Sequence, residues 1–166
     1  MNEAEAADRF IDANKEPAGE GSWVEGNRPS RWRIEWPLHI GGTSTGGRLL
    51  IDATTSISPP SYSVVIELGG KPLSRLDYDM EDVHINPDKG PRDLRRGSIK
   101  GPHAHLWQDN RTEIRSGAIP RVLRYARSVP SNTGDFSSAF EWFCQKNHIT
   151  INRERIPDVP TQLTLL

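Results

Sequence analysis

The run Tyr62-Ser-Val-Val-Ile-Glu-Leu-Gly-Gly-Lys-Pro-Leu-Ser-Arg-Leu-Asp-Tyr-Asp79 decides the fold. Its first part is rich in the β-branched and aromatic residues that strands prefer. Gly69-Gly70 then supplies the tight turn of a hairpin, and alternation resumes from Leu73 to Asp79. Side chains at i and i+2 share one face of a strand. Arg75, Asp77 and Asp79 therefore face one way, and Leu76, Tyr78 and Met80 face the other.

Upstream, Trp32-Arg-Ile-Glu-Trp-Pro-Leu38 alternates as well, with Trp32, Ile34, Trp36 and Leu38 on one face. Pro37 marks this strand as an edge or as ending there. A loop bounded by Gly41-Gly42 and Gly46-Gly47 leads into a second strand, Arg48–Ala53, and Pro59-Pro60 separates that strand from the hairpin. Downstream, a proline- and glycine-rich loop over 86–102 precedes a strand from His103 to Trp107. A further strand or short helix falls between Arg111 and Arg127. Gly134-Asp135 offers a helix N-cap, followed by Phe136, Ala139, Phe140, Phe143 and Cys144 at i, i+3, i+4, i+7 and i+8. Such a stripe must bury against the sheet. The predicted architecture is α+β: a mostly antiparallel β-meander with one C-terminal amphipathic helix on a face and a polar N-terminal lead. Residues 1–30 read as an acidic leader, a short helix followed by a partly flexible Gly/Pro/Ser-containing lead, 31–152 as a single domain, and 153–166 as a loosely held tail.

Composition narrows the class. A chain of 166 residues builds one core, and thirteen prolines with fourteen glycines argue against an all-helical bundle. No apolar run approaches the ~20 residues of a membrane span. The acidic start carries no signal-like hydrophobic stretch, and the lone Cys144 fits a reducing cytoplasm. The near-neutral total hides three charged blocks: a net −4 over residues 1–20, +3 over 88–100 and +4 over 111–127. A basic middle suits phosphates, and an acidic leader could shield it or meet a partner.

Three of the five histidines fall within His84–His105. His103 and His105 share a strand face, while His84 opens the loop His84-Ile-Asn-Pro-Asp88. Imidazoles are the natural acid–base pair near neutral pH. A cation such as Arg75 would steady a phosphorane, and Asp77 would fix a histidine tautomer. His84, His103, His105, Arg75 and Asp77 are therefore the candidate catalytic set. Arg92, Arg95, Arg96 and Lys100 are the candidate nucleic-acid contacts, with Trp107 available to stack a base. No cofactor and no metal site is expected, although His84, His103, His105 and Asp77 contain the donors of a divalent-metal site. The bland alternative is that these histidines only tie a loop to a sheet.

The order Leu73-Ser-Arg-Leu-Asp77, His84-Ile-Asn-Pro-Asp88 and Gly101-Pro-His-Ala-His-Leu-Trp107, with a terminal Phe/Trp-rich helix, resembles an uncharacterised family of small bacterial proteins. That family carries Arg-Leu-Asp, His-x-Asn-Pro-Asp and Pro-His-x-His motifs in this order, and the likeness covers about residues 48–146. It implies a mobile-element or defence context. More distantly, the layout is similar to the TumE-like toxin family, but this chain lacks that family's doubled histidine and has a longer loop after Asn86. The second likeness implies a toxin of a toxin–antitoxin pair acting on RNA, with an antitoxin-like protein as partner. The sequence thus leaves two readings open: a histidine-based endoribonuclease-like toxin, or a non-catalytic module that binds nucleic acid or protein and uses its histidines as scaffold. It assigns no oligomeric state, and no membrane partner is expected.

Overall fold

The computed structural model describes residues 1–160, and the last six residues of the expected tail lie outside the described residues. The chain is α+β, as its alternation predicts. Four long strands, β3 (Arg31–Ile40), β4 (Thr43–Thr54), β5 (Ser61–Leu68) and β6 (Lys71–Tyr78), form an antiparallel meander. Beyond β3, the two-residue strands β1 (Glu16–Pro17) and β2 (Val24–Glu25) pair with its outer edge. Beyond β6 come β9 (His103–His105) and β10 (Arg127–Ser128), giving the order β1-β3-β4-β5-β6-β9-β10. The connection from β6 to β9 contains its own small hairpin, β7 (Val83–Ile85) against β8 (Ser98–Lys100). β8 falls inside the 86–102 stretch expected to be a loop, and β7 lies just before it.

Both tight turns of the meander rest on glycine pairs. Gly41-Gly42 and Gly69-Gly70 all have positive φ, the conformation that two-residue hairpins between right-twisted strands require. The expected loop over Gly41–Gly47 is therefore only its first two residues, because β4 begins at Thr43. Pro37 lies mid-strand and does not end β3. Its carbonyl accepts from the Ala18 amide, so its ring, which replaces the N–H on that same side, faces the broken outer edge and takes no bond from β4.

One face of the sheet is apolar. Ile34, Ile51, Val64, Leu76 and Ala104 lie opposite one another strand by strand and are all buried. Two helices cover them. The C-terminal α3 (Phe136–Lys146) is capped by Asp135, whose side chain accepts from the Ser138 amide, and it buries Ala139, Phe140, Phe143 and Cys144 as its stripe predicts. A buried Ser74–Asn147 hydrogen bond of 2.7 Å ties its end to β6. The second cover is α1 (Glu3–Asp12), the short helix expected at the start of the leader. Ala4, Ala7, Phe10 and Ile11 are buried in the same core, so this helix belongs to the domain. Asn2 and Glu5 make a reciprocal capping box at its start. At its end Lys15 turns inward, donating to the Phe10, Ile11 and Ala13 carbonyls at 2.7–2.9 Å. Between Arg111 and Arg127 the chain is irregular, flanked by the short helix α2 (Trp107–Arg111) and by β10. Among the described residues, no helix is long and apolar enough to cross a membrane.

Candidate functional site

The opposite sheet face is polar, and strand register rather than sequence distance assembles it. One row runs Arg33, Asp52, Ser63, Asp77, His103 across five strands, and the adjacent row ends Arg75, His105. The i, i+2 pairs on β6 and β9 are therefore set against each other, Asp77 opposite His103 and Arg75 opposite His105. Ser63 donates to Asp77 Oδ1 at 3.0 Å, and Arg75 Nε donates to Asp77 Oδ2 at 2.7 Å. The same Oδ2 lies 3.6 Å from His103 Nε2 and 3.7 Å from His105 Nε2. Both exceed hydrogen-bond length, so the three groups surround a common point rather than bond to one another.

The third ring arrives from above. On β7, Val83 and Ile85 point to solvent and His84 points in. Its ring stacks on His103 with centroids 5.3 Å apart and meets His105 edge-on at 4.7 Å. Asn86 holds it there. The buried Asn86 amide donates to the Ala126 carbonyl and accepts from the Ala126 amide, both at 2.8 Å. That pairing fixes which amide atom is oxygen, and Oδ1 also receives His84 Nε2–H at 3.1 Å. The His-x-Asn part of the loop motif is thus a clamp that joins the hairpin to the chain beside β10. Sequence reasoning quoted Asn86 but gave it no role. Gly90 completes the clamp: its φ is +96°, and any side chain there would run into the Tyr125 ring.

The hydrogen bonds also fix the tautomers. A carbonyl only accepts, so His103 carries its proton on Nδ1, facing Gly101 O at 3.0 Å. His84 carries its proton on Nε2, shared between Asn86 and the Arg124 carbonyl at 3.1 Å. A guanidinium only donates, so His105 Nε2 accepts from Arg75 Nη2 at 3.1 Å. The other nitrogen of His105, Nδ1, is buried without a well-formed hydrogen bond. Burial, reinforced by Arg75 and the two neighbouring rings, pushes the His105 imidazole down to about 3, with a small opposing pull from the Leu123 backbone. His105 is therefore neutral at physiological pH. It can accept a proton or donate a lone pair, but it cannot serve as the acid of an acid–base pair.

All five expected catalytic residues meet here. Access is uneven: His103 and His105 are 1% exposed, while the Arg75 side chain is 39% exposed and His84 is half-buried. Arg92, Arg95 and Arg96 stand exposed on the loop between β7 and β8. Arg124 is exposed on the segment that the loop packs against. Lys100 is exposed on β8 and pairs loosely with Glu81 at 3.5 Å. Trp107 does not join them. It is 2% exposed on α2, with its Nε1–H donating to Asp8 at 2.8 Å, so it has no free face for a base. The helix that begins there turns its ring under the sheet toward α1, beyond reach of the histidine face. On the other flank a cleft of about 960 Å³ spreads over the polar sheet face, lined by Arg28, Arg31, Arg33, Asp52, Asp77 and Asp79 among others.

No curated protein matches the chain, and no solved structure matches it. Residues 1–149, a span that takes in both helical covers and the whole histidine site, match the family described as "Family of unknown function (DUF6978)", and the chain belongs to that family.

Proposed function

We propose that this protein is an RNA-cleaving, toxin-like enzyme of a bacterial defence, mobile-element or toxin–antitoxin system, acting in the cytoplasm. The observation that carries this reading is the meeting of three imidazoles, a guanidinium and a carboxylate beneath an exposed basic loop. Arg92, Arg95 and Arg96 with Arg124 would hold the phosphate backbone. Arg75, the most accessible member of the cluster, would bind the scissile phosphate and steady its developing charge. His84 lies at the entrance and is the ring best placed to move a proton. Asp77 orients Arg75. The neutral His105 serves as an acceptor.

A second reading has its own support. The 1% exposure of His103 and His105 suits a scaffold in a module that binds RNA or an antitoxin-like partner without cutting. Incubating the purified chain with structured and single-stranded RNA separates the two. Cleavage that Arg75→Ala and His84→Ala each reduce more than about 100-fold, in folded protein, supports the enzyme. RNA binding without cleavage, weakened only by charge removal at Arg92, Arg95 and Arg96, supports the module. Growth arrest on expression, relieved by the same two alanine variants, is the corresponding test in cells.

A further inference from the structure

We propose that His84, His103 and His105, with Asp77 as fourth donor, form a binding site for one divalent transition-metal ion of the zinc type. The inference goes beyond RNA cleavage and stands whether or not the chain cuts RNA. One ring nitrogen from each histidine lies within 4.8 Å of the others. Asp77 Oδ2 lies 3.6 Å from His103 Nε2 and 3.7 Å from His105 Nε2. Zinc–nitrogen bonds of about 2.0–2.1 Å place tetrahedral donors about 3.3 Å apart. The rings must therefore close by at most ~1.5 Å, a movement that side-chain torsions supply without moving a strand.

Donor chemistry selects the class of ion. Three imidazoles and one carboxylate suit zinc, nickel, cobalt or copper, and they are a poor set for magnesium or calcium, which take oxygen ligands. The outer partners have the form that metal-binding histidines use. His103 donates its far N–H to the Gly101 carbonyl, and His84 donates to Asn86 and the Arg124 carbonyl. Each ring is thereby held with its remaining nitrogen free to act as a ligand.

Arg75 gives the proposal its sharpest consequence. Its Nη2 now donates to His105 Nε2 and its Nε to Asp77 Oδ2, so a guanidinium balances the Asp77 charge and engages two of the four donors. A cation entering the cluster displaces those contacts and is repelled by the positive charge. Arg75 is thus a competitor of the metal, whereas the histidines are its ligands.

The test uses the untagged full-length chain, stripped with chelator and titrated with Zn²⁺, with Co²⁺ as the spectroscopic probe. Wild type is expected to take up one equivalent, to melt at a higher temperature with Zn²⁺, and to give the intense visible bands of four-coordinate Co²⁺. His84→Gln, at the half-exposed position least dangerous to folding, is expected to weaken binding more than about 10-fold, the lower bound for losing even an outer partner. Arg75→Gln is expected to bind at least as tightly as wild type. His39→Gln/His148→Gln, which changes the two histidines outside the cluster, is expected to bind as wild type does. No zinc uptake and no rise in melting temperature by wild type overturns the proposal. So does wild-type affinity in His84→Gln, or loss of binding in the His39/His148 double variant. Zinc uptake without RNA cleavage refutes the enzyme reading alone, and cleavage by stripped protein that takes up no zinc refutes the metal site alone.

Discussion

Asn86 offers the most quantitative check on the site. Its side chain makes three hydrogen bonds, two to the Ala126 backbone and one from His84, and the residue is 3% exposed. Asn86→Ala removes all three. It leaves the N–H and C=O of Ala126, itself buried, without partners. An unpaired buried polar group costs about 1–3 kcal/mol, so the two together set a range of about 2–6 kcal/mol. Water entering the space left by the amide recovers part of that, and we expect a loss of about 3 kcal/mol. In a domain of this size such a loss lowers the melting temperature by about 6–12 °C. Urea unfolding of both proteins measures it, provided the slope with denaturant is unchanged. The same variant frees the β7–β8 hairpin, so the His84 ring resonances should move toward those of an exposed histidine, and those of His103 and His105 should lose the ring-current contribution of the stacked His84 ring. A loss below about 0.5 kcal/mol, the range of an ordinary surface change, would show that Asn86 is no clamp. The convergence of His84 with the other two rings would then be incidental.

Three further outcomes follow from the fold. Lys15→Met leaves three carbonyls at the end of α1 without their charged donor and should destabilise the chain by about 3 kcal/mol in urea unfolding. Burial pushes the Lys15 ammonium down to about 8 from its ordinary 10.5. The unfolded chain therefore binds more protons between those values, and wild-type stability should gain a component that rises from pH 8 to 10.5, which Lys15→Met removes. Gly47→Ala drives a methyl into the Phe10 ring, so a stability loss of at least ~1 kcal/mol is expected from overpacking, and a neutral result would show α1 free to shift. The Arg111 guanidinium beside Asp8 holds that carboxyl below the usual range, with Trp107 Nε1–H assisting. Its contribution is complete above the unfolded pKa of about 4 and fades as pH falls, so Asp8→Asn should flatten part of the acid limb of a stability–pH curve.

The sheet was legible because alternation over Trp32–Leu38, Arg48–Ala53 and Tyr62–Asp79 is strong and the Gly-Gly turns admit few alternatives. The helix over Phe136–Cys144 was legible for the same reason, a cap followed by a stripe. The short helix at the start of the leader was legible, but its packing into the core was not, because its apolar stripe at Ala4, Ala7 and Ile11 consists partly of alanines, which carry little hydrophobic signal among six acids, yet small side chains are what lets a helix lie close on a sheet. The β7–β8 hairpin was missed because Pro87, Gly90, Pro91 and Gly97 dominate the local pattern while its paired residues number three a side. Within the site, the i, i+2 pairs were visible, but their pairing across β6 and β9 was not. Register follows from how the connection between those strands folds, and local sequence does not encode that. Trp107 shows the converse error: two residues past His105 in sequence, it lies on the other side of the sheet once α2 begins.

The topology also explains why the site is where it is. A meander leaves one sheet face bare unless something is laid across it, and β3, β4 and β5 use Arg33, Asp52 and Ser63 to make that bareness tolerable. At the β6–β9 junction the solution differs. The connection joining those strands doubles back over them, so imidazoles and a carboxylate that elsewhere on this face would be washed by solvent are enclosed by a hairpin bearing a third imidazole. Enclosure is what makes His105 neutral and Arg75 indispensable to the charge balance, since an Asp77 carboxylate beside two buried rings needs a cation within reach. The cover is fastened to the chain beside β10 by the Asn86 clamp, by Gly90 packed against Tyr125 and by the His84 ring itself. Groups so costly to bury are hard to justify by stability alone, because an apolar filling would hold the same strands more cheaply. On the proposed reading the enclosure would keep the buried rings dry, while Arg75, whose side chain is 39% exposed, gives the cluster its face toward solvent.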